Sequence, residues 1–124
     1  MKNILVLVIE DELAILNNIC TILQISGYNC IKAINGKDGL LQLETHKPQL
    51  ILCDVMMPEM DGFEVLKKVK ENSLTALIPF CFLSARADVI DIDFGLSTGA
   101  NGYITKPFLA KDLLQTISKL LSSF

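Results

Sequence analysis

Two hydrophobic periods take turns along this chain. Residues 4–9 form an unbroken apolar run rich in β-branched side chains and read as a strand. Ala14, Ile15, Asn18, Ile19, Ile22, Leu23 and Ile25 then recur at helical spacing, and Gly27 stops that helix. Residues 28–33 make a weaker, more polar strand, and residues 36–45 a short helix with Leu40, Leu41 and Leu43 facing inward. Residues 50–55 are again apolar except at Asp54. The pattern predicts a helix over 62–71 through Phe63, Leu66, Val69 and Lys70. A strand over 79–83 opens on Pro79, where a missing N–H costs no ladder bond. Then come an acid-rich helix over 87–98, a short strand over 102–105, and a last helix over 109–124. The last helix keeps Leu113, Leu114, Ile117, Leu120, Leu121 and Phe124 on one face.

Strand followed by helix, five times over, predicts an α/β fold: a (βα)5 doubly wound, five-stranded parallel sheet with right-handed crossovers. The runs beginning at Ile4, Leu50 and Pro79 are apolar on both faces, as central parallel strands must be. The two polar strands belong at the edges, which gives the order 2-1-3-4-5 and a switch point between strands one and three. No repeat or linker interrupts the pattern, so residues 1–124 are expected to be a single domain.

Composition narrows the possible functions. The chain has 124 residues, 51% apolar, enough for one core. Its 11 basic and 14 acidic residues leave a net charge of −3, without the basic face of a nucleic-acid binder. The longest apolar run is far short of the roughly 20 residues that cross a membrane. Lys2 and that run mimic a secretion signal, but Glu10-Asp11-Glu12 stands where a small-residue cleavage site belongs. The expectation is a cytoplasmic chain with no membrane contact. Cys20, Cys30, Cys53 and Cys81 have no C-x-x-C spacing, and read as small buried hydrophobes in a reducing compartment rather than a zinc site.

In sheets of this topology, ligand sites lie at the carboxyl ends of the strands. Glu10 and Asp11 follow the first strand, and Asp54 ends the third, its neighbour. Three carboxylates at one point repel one another and call for a hard cation, most simply Mg²⁺. Ser84 and Lys106 reach the same edge from the fourth and fifth strands. A carboxylate can attack phosphorus, a cation and a lysine can neutralise phosphoryl oxygens, and a hydroxyl can donate one hydrogen bond. Taken singly, each residue has a plainer reading as a helix cap or surface charge; the joint arrangement carries the argument.

Val8-Ile9-Glu10-Asp11-Glu12, Asp54 through Gly62 (Asp-Val-Met-Met-Pro-Glu-Met-Asp-Gly), Leu83-Ser84-Ala85 and Gly99 through Phe108 resemble the receiver domains of two-component response regulators over essentially the whole chain. Ser84 follows Asp54 by 30 positions and Lys106 follows Ser84 by 22, spacings similar to the family's. The resemblance implies a flavodoxin-like receiver fold, with Asp54 as phosphoacceptor. Mg²⁺ would be held by Glu10, Asp11, Asp54 and the backbone carbonyl of Met56. Lys106 would pair with the phosphoryl group, Ser84 and Tyr103 would act as the switch, and the Lys106–Pro107 bond would be cis. The implied partners are a sensor histidine kinase or phosphotransfer protein, and a downstream protein target or an output domain outside this chain.

Some details modify that picture. Winged-helix regulators dimerise through acids before the switch aromatic and a basic residue in the last helix. Here Asn101-Gly102 precedes Tyr103, and only Lys111 and Lys119 are available, which argues against that dimer. Asp88, Asp91 and Asp93 beside Val89, Ile90, Ile92 and Phe94 read as an ordinary amphipathic helix, with a partner-docking surface as the alternative. Met56 and Arg86 flank the expected phosphoryl site; an apolar Met56 offers nothing to orient water and predicts a long-lived phosphoryl group. Asp91-Ile92-Asp93 mimics a phosphatase D-x-D but falls in a helix. His46 is expected to be exposed. A flavodoxin-like small-molecule binder would need a Gly/Ser/Thr phosphate loop where Glu10-Asp11-Glu12 stands. A degenerate receiver would have lost one of the key residues.

Overall fold

The computed structural model describes residues 3–86 and 88–122, with only the backbone of Val89. Ala87 and Phe124, assigned above to the fourth and last helices, lie outside the described residues. The elements run β1 (Leu5–Ile9), α1 (Leu13–Ile25), β2 (Asn29–Ala33), α2 (Gly36–Thr45), β3 (Leu50–Asp54), α3 (Gly62–Glu71), β4 (Phe80–Ser84), α4 (Val89–Ser97), β5 (Gly102–Thr105) and α5 (Ala110–Ser122). The sheet is parallel throughout, in the order β2-β1-β3-β4-β5.

β3 and β4 are buried along their whole length and β1 after its first residue, as their two-sided apolar runs require. One core lies under α1 and α5, where Val6, Val8, Leu52 and Leu83 meet Leu16, Ile19, Leu23, Leu113 and Ile117. The other lies under α2, α3 and α4 and holds Leu7, Ile51, Phe80 and Phe82 against Val65, Leu66 and Val69. Alternate residues of each strand feed opposite cores because successive side chains point to opposite faces. Asp61 starts α3 with a reciprocal capping box to Glu64. Asn35 caps α2 by accepting from the Asp38 N–H. Gly27 supplies the positive φ that turns α1 into β2.

Three expectations are corrected. Leu41 is exposed, because Leu40 and Leu43 take the inward face and a residue one step from Leu40 points about 100° away. α4 is not an ordinary amphipathic helix: Ile90, Phe94 and Leu96 are all exposed. Cys20 and Cys30 are joined in a disulfide, while Cys53 and Cys81 are buried free thiols. The tight turn at Ser26-Gly27-Tyr28 folds α1 back along β2, which brings positions ten apart to a Cα separation of 5.8 Å. Nothing in the cysteine spacing signals this pairing.

Candidate functional site

Parallel strands all end on the same side, and the register sets their ends level. Ile9 pairs with Cys53, Asp54 with Leu83 and Ser84 with Thr105. Glu10, one residue past β1, still donates its N–H to the Ala33 carbonyl at 3.0 Å. Lys106, one residue past β5, donates its N–H to the Ser84 carbonyl at 2.7 Å. Four strand ends thus present Glu10-Asp11, Asp54, Ser84 and Lys106 along one edge. The Lys106–Pro107 bond is cis, as expected.

Glu10, Asp11 and Asp54 bring carboxylate oxygens within 4.8 Å of one another. Glu10 is fully buried, with Oε1 accepting from Lys106 Nζ at 2.6 Å and Oε2 accepting from the Glu12 N–H at 3.2 Å. Asp54 is buried, with Oδ2 at 3.4 Å from the same ammonium and Oδ1 accepting from the Met56 N–H at 3.4 Å. Burial, followed by the charge of Glu10 and a hydrogen bond shared with it, raises the Asp54 carboxyl to about 7, against the opposing pull of Lys106 and the Met56 N–H. Burial alone would lower Lys106, but the Glu10 hydrogen bond and the two neighbouring charges hold it above its ordinary value. One ammonium therefore meets two of the three carboxylates, and the donor set is all oxygen. That is the environment of a small hard divalent cation, and Mg²⁺ fits it.

Ser84 is fully buried at the same edge, and its hydroxyl accepts from the Arg86 N–H at 3.1 Å. Tyr103 lies farther out on β5 and donates its hydroxyl to the Arg86 carbonyl at 2.9 Å. The backbone of Arg86 therefore joins the two expected switch residues, a link invisible in the sequence because it uses main-chain atoms. The Tyr103 ring stands edge-on to Phe82, with centroids 6.3 Å apart, and Phe82 packs on Phe63, which meets Phe94. Gly95 on α4 lies against the same ring, a second contact the sequence did not signal.

Apart from the Met56 N–H on Asp54, the remaining candidates sit away from the carboxylates. Met56 is exposed at the rim, and Arg86 is exposed with its guanidinium 3.6 Å from Asp91. Asp91 and Asp93 lie on α4, away from any strand end. His46 is exposed beyond α2, within reach of the Thr45 hydroxyl and the Gln42 carbonyl. Asn101 serves the fold, accepting from the Phe80 N–H at 2.9 Å. Burial, then the Asp54 and Glu10 charges, raises the Cys53 thiol, and burial alone pushes Cys81 up to about 12. Both thiols are inert.

Residues 6–118 match the response regulator receiver domain family. The chain is similar to the alkaline phosphatase synthesis transcriptional regulatory protein PhoP of Bacillus subtilis, 37% identical over 116 residues that cover 94% of this chain and 48% of that protein. It is 38% identical to the phosphate regulon transcriptional regulatory protein PhoB of Escherichia coli, over 94% of this chain and 51% of that protein. The chain spans about half the length of these curated relatives. Among solved structures it resembles the chemotaxis response regulator CheY4 of Vibrio cholerae, with a TM-score of 0.90, 29% identity, and coverage of 96% of this chain and 99% of that one. A putative response regulator from Chloroflexus aurantiacus superposes with a TM-score of 0.92 at 29% identity, over 98% of this chain and 99% of that one. No helix among the described residues is long and apolar enough to cross a membrane.

Proposed function

The chain belongs to the response regulator receiver domain family of two-component systems, and from that premise we propose that it is a phosphoryl-accepting switch whose acceptor is Asp54. The observation that carries this reading is the cluster of Glu10, Asp11 and Asp54 carboxylates, with the Lys106 ammonium against Glu10 and Asp54.

The donor is a phosphohistidine on a sensor histidine kinase or phosphotransfer protein. An Asp54 carboxylate oxygen attacks phosphorus, the P–N bond breaks, and its electron pair returns to the imidazole. Beside Lys106 a groove of about 310 Å³, lined by Ile15, Asn18, Ala85, Pro107 and Phe108, offers the donor domain an apolar foothold next to the acceptor. Glu10, Asp11, Asp54 and the Met56 carbonyl would hold Mg²⁺, which when bound supplies positive charge against the carboxylates and the phosphoryl oxygens. Lys106 shifts from Glu10 toward the new phosphoryl charge. The Ser84 hydroxyl turns from the Arg86 N–H to donate to a phosphoryl oxygen. Arg86 also holds the Tyr103 hydroxyl, so its backbone carries the rearrangement to α4, β5 and α5.

That face then changes its affinity for a protein target or for an output domain outside these residues. The chain acts in the cytoplasm, binds neither nucleic acid nor membrane itself, and catalyses only its own phosphorylation and dephosphorylation. Exposed, apolar Met56 does not orient a hydrolytic water, so the acyl phosphate is long-lived. A half-life of seconds for the purified phosphoprotein contradicts this last point.

The test is intact-mass spectrometry with Mg²⁺ and a small acyl phosphate, then with a phosphohistidine donor. Wild type should gain one phosphoryl mass, while Asp54→Asn and the metal-free sample gain none. No gain from either donor overturns the proposal.

A further inference from the structure

Gly95 stands in the interior of α4, where glycine disfavours a helix roughly fivefold relative to alanine. Its φ is not among the positive ones, which belong to Gly27 and Gly99. Backbone conformation therefore gives no reason for glycine here. The surroundings do: a Cβ at this position would lie 2.9 Å from both Cδ2 and Cε2 of the Tyr103 ring, and 3.5 Å from Cδ2 of Phe82. The residue is buried, while Phe94 and Leu96 on either side of it are exposed.

The ring has little freedom to yield where it lies. Its hydroxyl is tied to the Arg86 carbonyl, and Phe82 stands edge-on to it. A ring in this place thus needs α4 to approach without a side chain. We propose that Gly95 is the seat of Tyr103: the missing Cβ makes room for the ring against α4, and so permits the Tyr103–Arg86 hydrogen bond that ties β5 to the Ser84 loop. Gly95 is a positioning residue, acting through Tyr103 rather than on the phosphoryl group. Its regulatory part rests on the reading of Asp54 as phosphoacceptor; its structural part does not.

Two measurements on the full chain separate these parts. The first is a double-mutant cycle of Gly95→Ala and Tyr103→Ala, followed by thermal unfolding. With the ring removed, Gly95→Ala should raise Tm by about 3–5 °C, the ordinary return of alanine in a helix. With Tyr103 present that rise should vanish or turn into a fall. An equal rise in both backgrounds overturns the proposal.

The second uses 3-fluorotyrosine, since the chain has only two tyrosines, Tyr28 and Tyr103. Beryllofluoride with Mg²⁺ serves as the probe, a stable mimic of an acyl phosphate. The wild-type Tyr103 fluorine resonance should shift on its addition, and in Gly95→Ala it should stay near one position although Asp54 still takes up phosphoryl mass. A Gly95→Ala resonance that responds as in wild type overturns the regulatory part. Failure of wild-type Asp54 to gain mass overturns the reading beneath it, and the thermal cycle still judges the contact.

Discussion

α4 and α5 flank the same edge strand and are held in opposite ways. α5 places Leu113, Ile117 and Leu120 at 0%, 0% and 9% exposure, in the core they share with Leu52, Leu83 and Ile104 of the sheet. α4 leaves Ile90 82% exposed and Phe94 58% exposed. The difference is written in their periods. In α5 the apolar residues recur at steps of three and four and fall on one stripe. In α4, Ile90, Ile92, Phe94 and Leu96 alternate with Asp91, Asp93 and Gly95. At about 100° per residue, such an alternation scatters apolar groups around the helix. α5 is fixed by its own stripe, and α4 by a few contacts, among them Gly95 on Tyr103 and Asp91 near Arg86. An element with little burial opens at low cost, and the switch proposed above would draw on that.

The largest expected effect lies on the anchored side. Ile117→Ala should lose about 2–4 kcal/mol of unfolding free energy in urea, the usual cost of emptying a packed aliphatic site. A loss below about 1 kcal/mol would remove the distinction between the helices. On the same side, α1 is stapled to β2. Opening Cys20–Cys30 with dithiothreitol should cost about 2–3 kcal/mol, the amount expected for a loop of about ten residues. Hydrogen exchange should then quicken in α1 and β2 and leave α4 unchanged; faster exchange in α4 would show that the two sides are coupled.

At the carboxyl edge of the sheet, the carboxylate cluster works against the fold. The Asp54 carboxyl rises from 3.8 to about 7 in the metal-free protein, so the folded state holds a proton that the unfolded chain has released between those values. Stability therefore falls as pH rises through that window, and the full cost is present above about 7. Asp54→Asn should make the metal-free protein more stable than wild type at pH 8, on the order of 1–2 kcal/mol, and the gain should disappear below about pH 4. Mg²⁺ should raise the Tm of wild type and much less that of the variant. A variant no more stable at pH 8 than at pH 4, relative to wild type, would mean that neither burial nor the Glu10 charge penalises the ionised Asp54. The smallest effect belongs to α4, where Ile90→Ala should change stability by no more than about 0.5 kcal/mol. A loss near that of Ile117→Ala would place α4 in the core and defeat the comparison.

The sequence by itself determined the alternation of strands and helices, the order of the sheet, and which residues reach its carboxyl edge. Those are consequences of local period, and of the rule that parallel strands end together. Apolar residues 4–9 could only be buried on both faces, and Glu10, Asp11, Asp54, Ser84 and Lys106 had to follow where their strands ended. Contacts between distant positions were decided by the tertiary structure. Lys106 lies nearer to Glu10 than to Asp54, across 96 positions of chain. Cys20 meets Cys30 because one turn folds a helix back along a strand, and spacing alone does not record that angle. Gly95 meets Tyr103, and Arg86 links Tyr103 to Ser84, through a missing side chain and two main-chain atoms. A pattern of side-chain types carries no trace of either, because their chemistry exists only once the backbone is in place.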